Sequence, residues 1–150
     1  MIFSRKLDIT VSDCLKGVRA MQKYRIIIAG GRDFNDYETL KCAANDIIRY
    51  QCEINNDIEV EIVSGRARGA DRLGERFADE FGYSLAKFPA DWDKNGKQAG
   101  IIRNRQMAKY ATEEGYCGVL IAFWDGESRG TRNMIETAGK FNMEVRVIRY

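Results

Sequence analysis

The chain has no histidine, one proline and only four cysteines, scattered at Cys14, Cys42, Cys52 and Cys117. Each scarcity excludes something. Without imidazole there is no Ser-His or Cys-His nucleophile pair, so any catalysis must run on carboxylates, arginine or a cofactor. With no Cys-x-x-Cys pair and no histidine to complete a mixed ligand set, neither a zinc centre nor any other metal is expected, and the thiols read as reduced. No apolar run approaches the ~20 residues that span a bilayer. The opening "MIFSRKLDIT" also lacks a continuous apolar signal region. These absences predict a soluble, cytoplasmic protein without membrane contact. A formal net charge of only +2 is too small for a protein that coats nucleic acid by bulk electrostatics.

What is present is enough apolar residue, 45% of 150, for one core but not two. "YRIIIAGG" (24–31) is an apolar run ending in glycines, the pattern of a strand buried on both faces. "ETLKCAANDIIRY" follows at helical spacing, with Asn35 or Asp36 as its N-cap. "IEVEIVSG" reads as a strand, and "ADRLGERFADEFG" as a helix stopped by Gly82. "YSLAKFPADW" is a strand ended by Pro89, and "QAGIIRNRQMAKYATEEG" a helix with a terminal glycine. "CGVLIAFWDG" is a fourth buried strand, "TRNMIETAGKF" a helix and "MEVRVIRY" a closing strand. Strands alternating with helices and joined by short connections predict an α/β, Rossmann-like, doubly wound fold: a mainly parallel five-stranded sheet with helices on both faces. Residues 24–150 form this domain. Residues 1–23 stand outside the repeat, with "KLDIT" a short strand and "SDCLKGVRAMQ" a helix, as an appendage that covers a sheet edge or makes an interface.

Ligands of such sheets sit at the carboxyl ends of the strands, where the loops here are rich in glycine and arginine. Gly30 and Gly31 permit a sharp turn or close approach of a ligand; Arg32 and Asp33 contact a phosphate and a sugar hydroxyl, or pair with each other. In "SGRARGAD", Ser64, Gly65, Arg66, Ala67, Arg68, Gly69 and Ala70 read as a phosphate loop at a helix start. Asp71 would be a first-turn partner of the helix dipole. Trp92 offers an aromatic face that suits a stacked base or a cap on the core. Lys97 precedes a helix whose Arg103 and Asn104 reach the site only if that helix turns its side toward it. Trp124 ends a strand beside a second glycine-rich turn, Gly126, Ser128, Gly130 and Thr131, which repeats the phosphate logic. Two such loops, read as lying on adjacent strands, imply a ligand with more than one anionic group.

The ordered motifs "GGRDF", "VSGRARGADRLGERFA", "FPADWDKNGKQAGIIRNRQMA" and "AFWDGESRGTRNMI" together resemble the YspA-type branch of the SLOG superfamily. That resemblance implies a Rossmann-like fold that binds a nucleotide-derived small molecule. "SGRARGAD" and "RNRQMA" are also similar to segments of the DNA-processing protein DprA, which binds single-stranded DNA. "GESRGT" is similar to the PGGxGT loop of the LOG phosphoribohydrolases, which cleave nucleoside monophosphates. Those enzymes carry a glutamate three residues after the threonine, where this chain has Met134; Glu136 lies about 200° round the helix. Asp33, Asp71, Glu75 and Asp125 remain as carboxylates for glycosidic chemistry, with no pair set by spacing. The sequence therefore favours capture of a phosphate-containing nucleotide-derived ligand (ADP-ribose-like or a cyclic nucleotide signal), without a further cofactor, as a sensor or sequestering protein. A LOG-type hydrolase and DprA-like single-stranded DNA binding are the alternatives.

The N-terminal segment and the apolar "VRVIRY" supply edges that a lone small domain would expose. A homo-oligomer, most simply a dimer, is expected. Sedimentation at micromolar concentration checks this, and a monomer would contradict it.

Overall fold

A computed structural model describes residues 20–150. The predicted elements "KLDIT" and most of "SDCLKGVRAMQ" lie outside these residues. The first strand, β1 (Gln22–Gly30), occupies the middle of a five-stranded sheet whose order is β3-β2-β1-β4-β5. The others are β2 (Ile58–Ser64), β3 (Ser84–Lys87), β4 (Tyr116–Trp124) and β5 (Glu144–Arg149). All four neighbouring pairs are parallel, so the sheet is wholly rather than mainly parallel.

Ile26, Ile27 and Ile28 show why β1 is central. Each is inaccessible to solvent, and their side chains alternate between two apolar layers. Ile26 and Ile28 pack with Leu40 of α1 (Tyr37–Asn55) and Phe77 of α2 (Ala70–Phe81). Ile27 and Ala29 pack on the other face with Met107 of α4 (Ala99–Ala111) and Met134 of α5 (Arg129–Lys140). Between β3 and α4 lie a single helical turn, α3 (Trp92–Asn95), and a 3-10 turn at Gly96–Gln98. The chain thus builds outward from β1 to β3 under one helical layer, then crosses to β4 and finishes under the other. At the β1/β4 junction the connections depart to opposite faces, and a crevice opens there at the strand ends.

Several boundaries differ from the sequence reading for identifiable reasons. β1 begins at Gln22, paired with Ile58, so the end of the predicted N-terminal helix belongs to the sheet. α1 runs to Asn55 because its last turns carry a polar network: Tyr24 Oη donates to Gln51 Oε1 at 2.7 Å, and Asn55 Nδ2 donates to Tyr24 Oη at 3.1 Å. α4 ends at Ala111, where the Thr112 hydroxyl bonds back to the Ala108 carbonyl at 2.8 Å. Gly115, expected at that helix end, sits in the following turn with φ +87°. Asp36 is the N-cap of α1, accepting from Thr39 N–H at 3.0 Å, and Gly82 closes α2 in the left-handed conformation.

The crevice depends on close packing at Gly30, where a Cβ would overlap the Phe123 carbonyl and lie 2.9 Å from the Ala70 Cβ. Gly30→Ala is expected to destabilise the fold by about 1–3 kcal/mol through overpacking. Gly130→Ala, whose Cβ would meet nothing within 4 Å, should stay within about 1 kcal/mol of the parent. Urea denaturation of the two variants checks this, and equal midpoints would contradict it.

Candidate functional site

The backbone of Gly31 joins three elements. Its N–H donates to the Phe123 carbonyl of β4 at 3.0 Å, and its carbonyl accepts from Phe34 N–H at 3.3 Å and from Ala70 N–H of α2 at 3.2 Å. The approach is so close that Gly69, at φ +79°, has no room for a Cβ against the Gly31 carbonyl. Arg32 and Asp33 are thereby set on the rim. Asp33 is not paired with Arg32; it accepts from the Tyr150 hydroxyl at 2.6 Å. Burial and this bond raise the Tyr150 phenol well above its usual range.

The loop from β2 into α2 differs from a fully open phosphate cradle, because three of its donors are used internally. Arg66 N–H donates to Ser64 Oγ at 3.1 Å, Ala67 N–H to Asp71 Oδ2 at 3.3 Å, and Ala70 N–H to the Gly31 carbonyl. The Asp71 carboxylate thus occupies the place where a free helix start would take an anion. Asp71 is only 3% exposed. Burial pushes its carboxyl up to about 6, against the opposing pull of Arg103 and of hydrogen bonds from the Ala67 and Gly30 backbones. Arg66, with φ +65°, is committed to Glu75 at 2.6 Å, and Ser64 donates to the same carboxylate at 2.8 Å.

The start of α5 is arranged differently. Asp125 accepts from the N–H groups of Glu127 and Ser128, both at 2.8 Å, and these bonds hold its carboxyl below the usual range. Ser128 Oγ caps Thr131 N–H at 3.4 Å. Among the described residues the Arg129 and Gly130 N–H groups have no protein partner, and Gly130 faces open space. Here the anion-binding character of a helix start is intact.

Between these loops lies a cavity of about 700 Å³. Ala29, Met107 and Met134 form apolar lining; Met107 and Met134 are each 1% exposed. Gly30, Gly31, Arg32 and Asp33 line it from β1, and Ala67, Arg68 and Asp71 from the β2–α2 loop. Ser128, Gly130 and Thr131 contribute from the α5 start, and Trp92, half exposed, stands at the mouth. α4 does turn its side inward, so Arg103 and Asn104 reach the cavity. Buried Asn104 braces the two helices: its amide donates to the Gly130 carbonyl at 3.2 Å and to Asn133 Oδ1 at 3.0 Å, while accepting from Arg103 Nε at 3.1 Å. Arg103 also bonds the Gly65 carbonyl.

Other expected site residues stand behind the walls. Ser64, Gly69 and Ala70 hold the α2 loop, while Gly65 and Arg66 line a smaller neighbouring cavity rather than this one. Trp124 donates through Nε1 to the Ser128 carbonyl at 3.1 Å, and Gly126, at φ +88°, has no room for a side chain against Arg149. Both shape the α5 turn from outside. The two glycine-rich loops are not on adjacent strands, since β1 separates β2 from β4. Met134 fills the place expected for the phosphoribohydrolase glutamate with apolar floor; Glu136 lines neither cavity. Sequence reasoning missed Ile101, Asn133, Met107 and Met134 as lining residues. The helical spacing of Gly130, Asn133 and Met134 was a signal for one face, but nothing local said which face meets the crevice.

Residues 24–95 match YAcAr, described as the YspA, cpYpsA-related SLOG family. The chain is also similar to "Gene 61 protein" of Mycobacterium phage D29, 31% identical over 126 residues that cover 81% of this chain and 93% of that protein. No solved structure matches the chain significantly. No helix among the described residues is long and apolar enough to cross a membrane, and no group of side chains there is placed to hold a metal ion.

The raised carboxyl of Asp71 has a thermodynamic signature. An unfolded aspartate ionises near pH 4, whereas in the fold Asp71 does so near 6. Between those values the folded state binds the extra proton, so stability falls as pH rises through this window and levels above it. Asp71→Asn lacks that titration. Its stability relative to the parent should therefore rise by roughly 2–3 kcal/mol from pH 4 to 7 and then stay constant. Urea denaturation across pH measures this, and a pH-independent difference would contradict it.

Proposed function

We propose, from the premise that the chain belongs to the YspA, cpYpsA-related SLOG family, that its cavity captures a phosphate-containing nucleotide-derived small molecule. The carrying observation is the pairing of an open helix start, the free N–H groups of Arg129 and Gly130, with an apolar slot floored by Met107 and Met134. A phosphate is the anion that such a start holds best when Arg32 and Arg129 stand beside it. A base fits the apolar floor under Trp92, and Asp33 and Asp71 are acceptors for sugar hydroxyls. The volume of about 700 Å³ lies within the range of small-ligand sites.

Reversible capture, as a sensor or by sequestration, follows from the side chains. Met134 is apolar, Glu75 is engaged with Ser64 and Arg66, and Asp125 is held by two backbone N–H groups. One observation favours N-glycosidic hydrolysis as a second reading: Asp71 lines the cavity with a carboxyl poised near 6, in the range useful for proton transfer. The single-stranded DNA reading is weaker, because a strand needs successive stacking platforms and among the described residues Trp92 is the one aromatic side chain lining either cavity.

Calorimetry with a panel of ribonucleotides, cyclic nucleotides and ADP-ribose tests capture. Arg68→Ala should weaken a phosphate ligand by about 1.5–3 kcal/mol, and Gly130→Val should abolish binding by filling the approach to the α5 N–H groups. Parental affinity in both variants would contradict the reading. Chromatography of material recovered after denaturation should return the nucleotide unchanged; free base and ribose phosphate, formed at a rate lost in Asp71→Asn, would establish the hydrolase.

A further inference from the structure

The smaller cavity, about 420 Å³, opens beside the first and shares Arg32, Ala67, Arg68, Trp92 and Arg103 with it. Its own lining comes from the β2 end, the first turn of α2 and the loop after β3: Gly65, Arg66, Arg72, Pro89 and Ala90. Five of its ten lining residues are arginines, and no carboxylate among the described residues lines it. Glu75 compensates Arg66 at 2.6 Å and reaches Arg72 at 3.9 Å. Among the described residues Arg32 and Arg68 have no ion-pair partner, and Arg103 has only the buried Asp71 carboxylate nearby, beyond ion-pair distance. Arg103 is partly buried: burial lowers its guanidinium pKa, the Asp71 carboxylate opposes this, and the like charge of Arg32 adds a smaller lowering. Like-charged guanidinium groups gathered round an open, carboxylate-free space are stabilised by an anion placed between them.

We infer that this second cavity takes a second phosphoryl group, so that the protein selects nucleotides with two linked phosphates over monophosphates. The inference rests on the nucleotide reading of the first cavity and adds the ligand class. The nucleoside and one phosphate lie in the larger cavity, and the chain of anionic groups passes Arg68 and Arg103 into the smaller one. This differs from the argument of two glycine-rich loops, since the α2 loop contributes arginine side chains here rather than free backbone donors.

The experiment is calorimetry at fixed ionic strength with the four ribonucleoside monophosphates and diphosphates, inorganic phosphate and pyrophosphate. In the parent, the preferred diphosphate should bind about tenfold or more tightly than its monophosphate. Ala90→Glu places a carboxylate in the smaller cavity, and Arg72→Gln removes a charge that lines only that cavity; each should reduce the preference to about threefold or less. Gln106→Glu, exposed and outside both cavities, changes net charge as Ala90→Glu does, apart from the site, and should keep the full preference. Equal affinity for mono- and diphosphates would overturn the second subsite and leave the nucleotide reading standing. Full preference retained in both Ala90→Glu and Arg72→Gln would also overturn it. Pyrophosphate held tenfold tighter than phosphate, with no gain from any nucleoside, would support the paired-anion subsite and overturn the nucleotide reading. Failure of every nucleotide and of pyrophosphate to bind would overturn both.

Discussion

The Gly31 backbone ties three independent chain segments together at one point. Its N–H is held by β4 and its carbonyl by the first residue of α2. These bonds require backbones to approach where side chains would collide, which is why Gly30 and Gly69 lack them, while at Gly31 a Cβ would meet the Tyr150 hydroxyl. The crevice follows from this arrangement: β1 and β4 are neighbours whose outgoing loops leave to opposite faces, and the Gly31 contacts set how far apart those loops stand. Arg32 and Asp33 are carried on the same turn, so the polar rim and the backbone brace are one local structure.

Charge within the crevice is divided rather than uniformly positive. Asp71 neutralises the α2 start from inside the chain, and Asp125 and Ser128 satisfy the outer donors of the α5 turn. What remains without a protein partner among the described residues includes the inner pair of α5 N–H groups and the side chains of Arg32 and Arg68. The apolar floor makes these charges more effective, since little water lies beneath them to screen a bound anion. A molecule with net charge of only +2 thus concentrates positive charge at one crevice rather than over its whole surface.

The fold was largely legible because its strands are buried on both faces. Continuous runs such as "RIIIAGG" and "GVLIAFW" have few alternatives to a covered parallel sheet, and the helices between them fix the crossover topology. The strand order was not legible, and the inference of adjacent glycine-rich loops failed for that reason. The site was legible as a set of loops but not as a division of labour. "SGRARGAD" reads as a phosphate loop in sequence, yet one of its donors, Ala67 N–H, is taken by Asp71 four residues on, once the loop turns back on the helix. Asn133 and Met107 depend on which helix faces meet across the sheet, a tertiary fact with no local signature. Arg103 and Asn104 were recoverable only as a condition on helix orientation, which the structure satisfies.

The central claim is that the crevice at the β1/β4 junction receives a phosphate-bearing ligand at the α5 start. Amide-resolved NMR titration with the tightest nucleotide of a panel tests it most directly, because it reports on backbone N–H groups themselves. The account predicts saturable shifts, largest at Arg129 and Gly130 and present at Arg32 and Arg68, with α1 and the outer edge of β5 little changed. Saturable shifts confined to α1 or the β5 edge, with Arg129 and Gly130 unmoved, would contradict it.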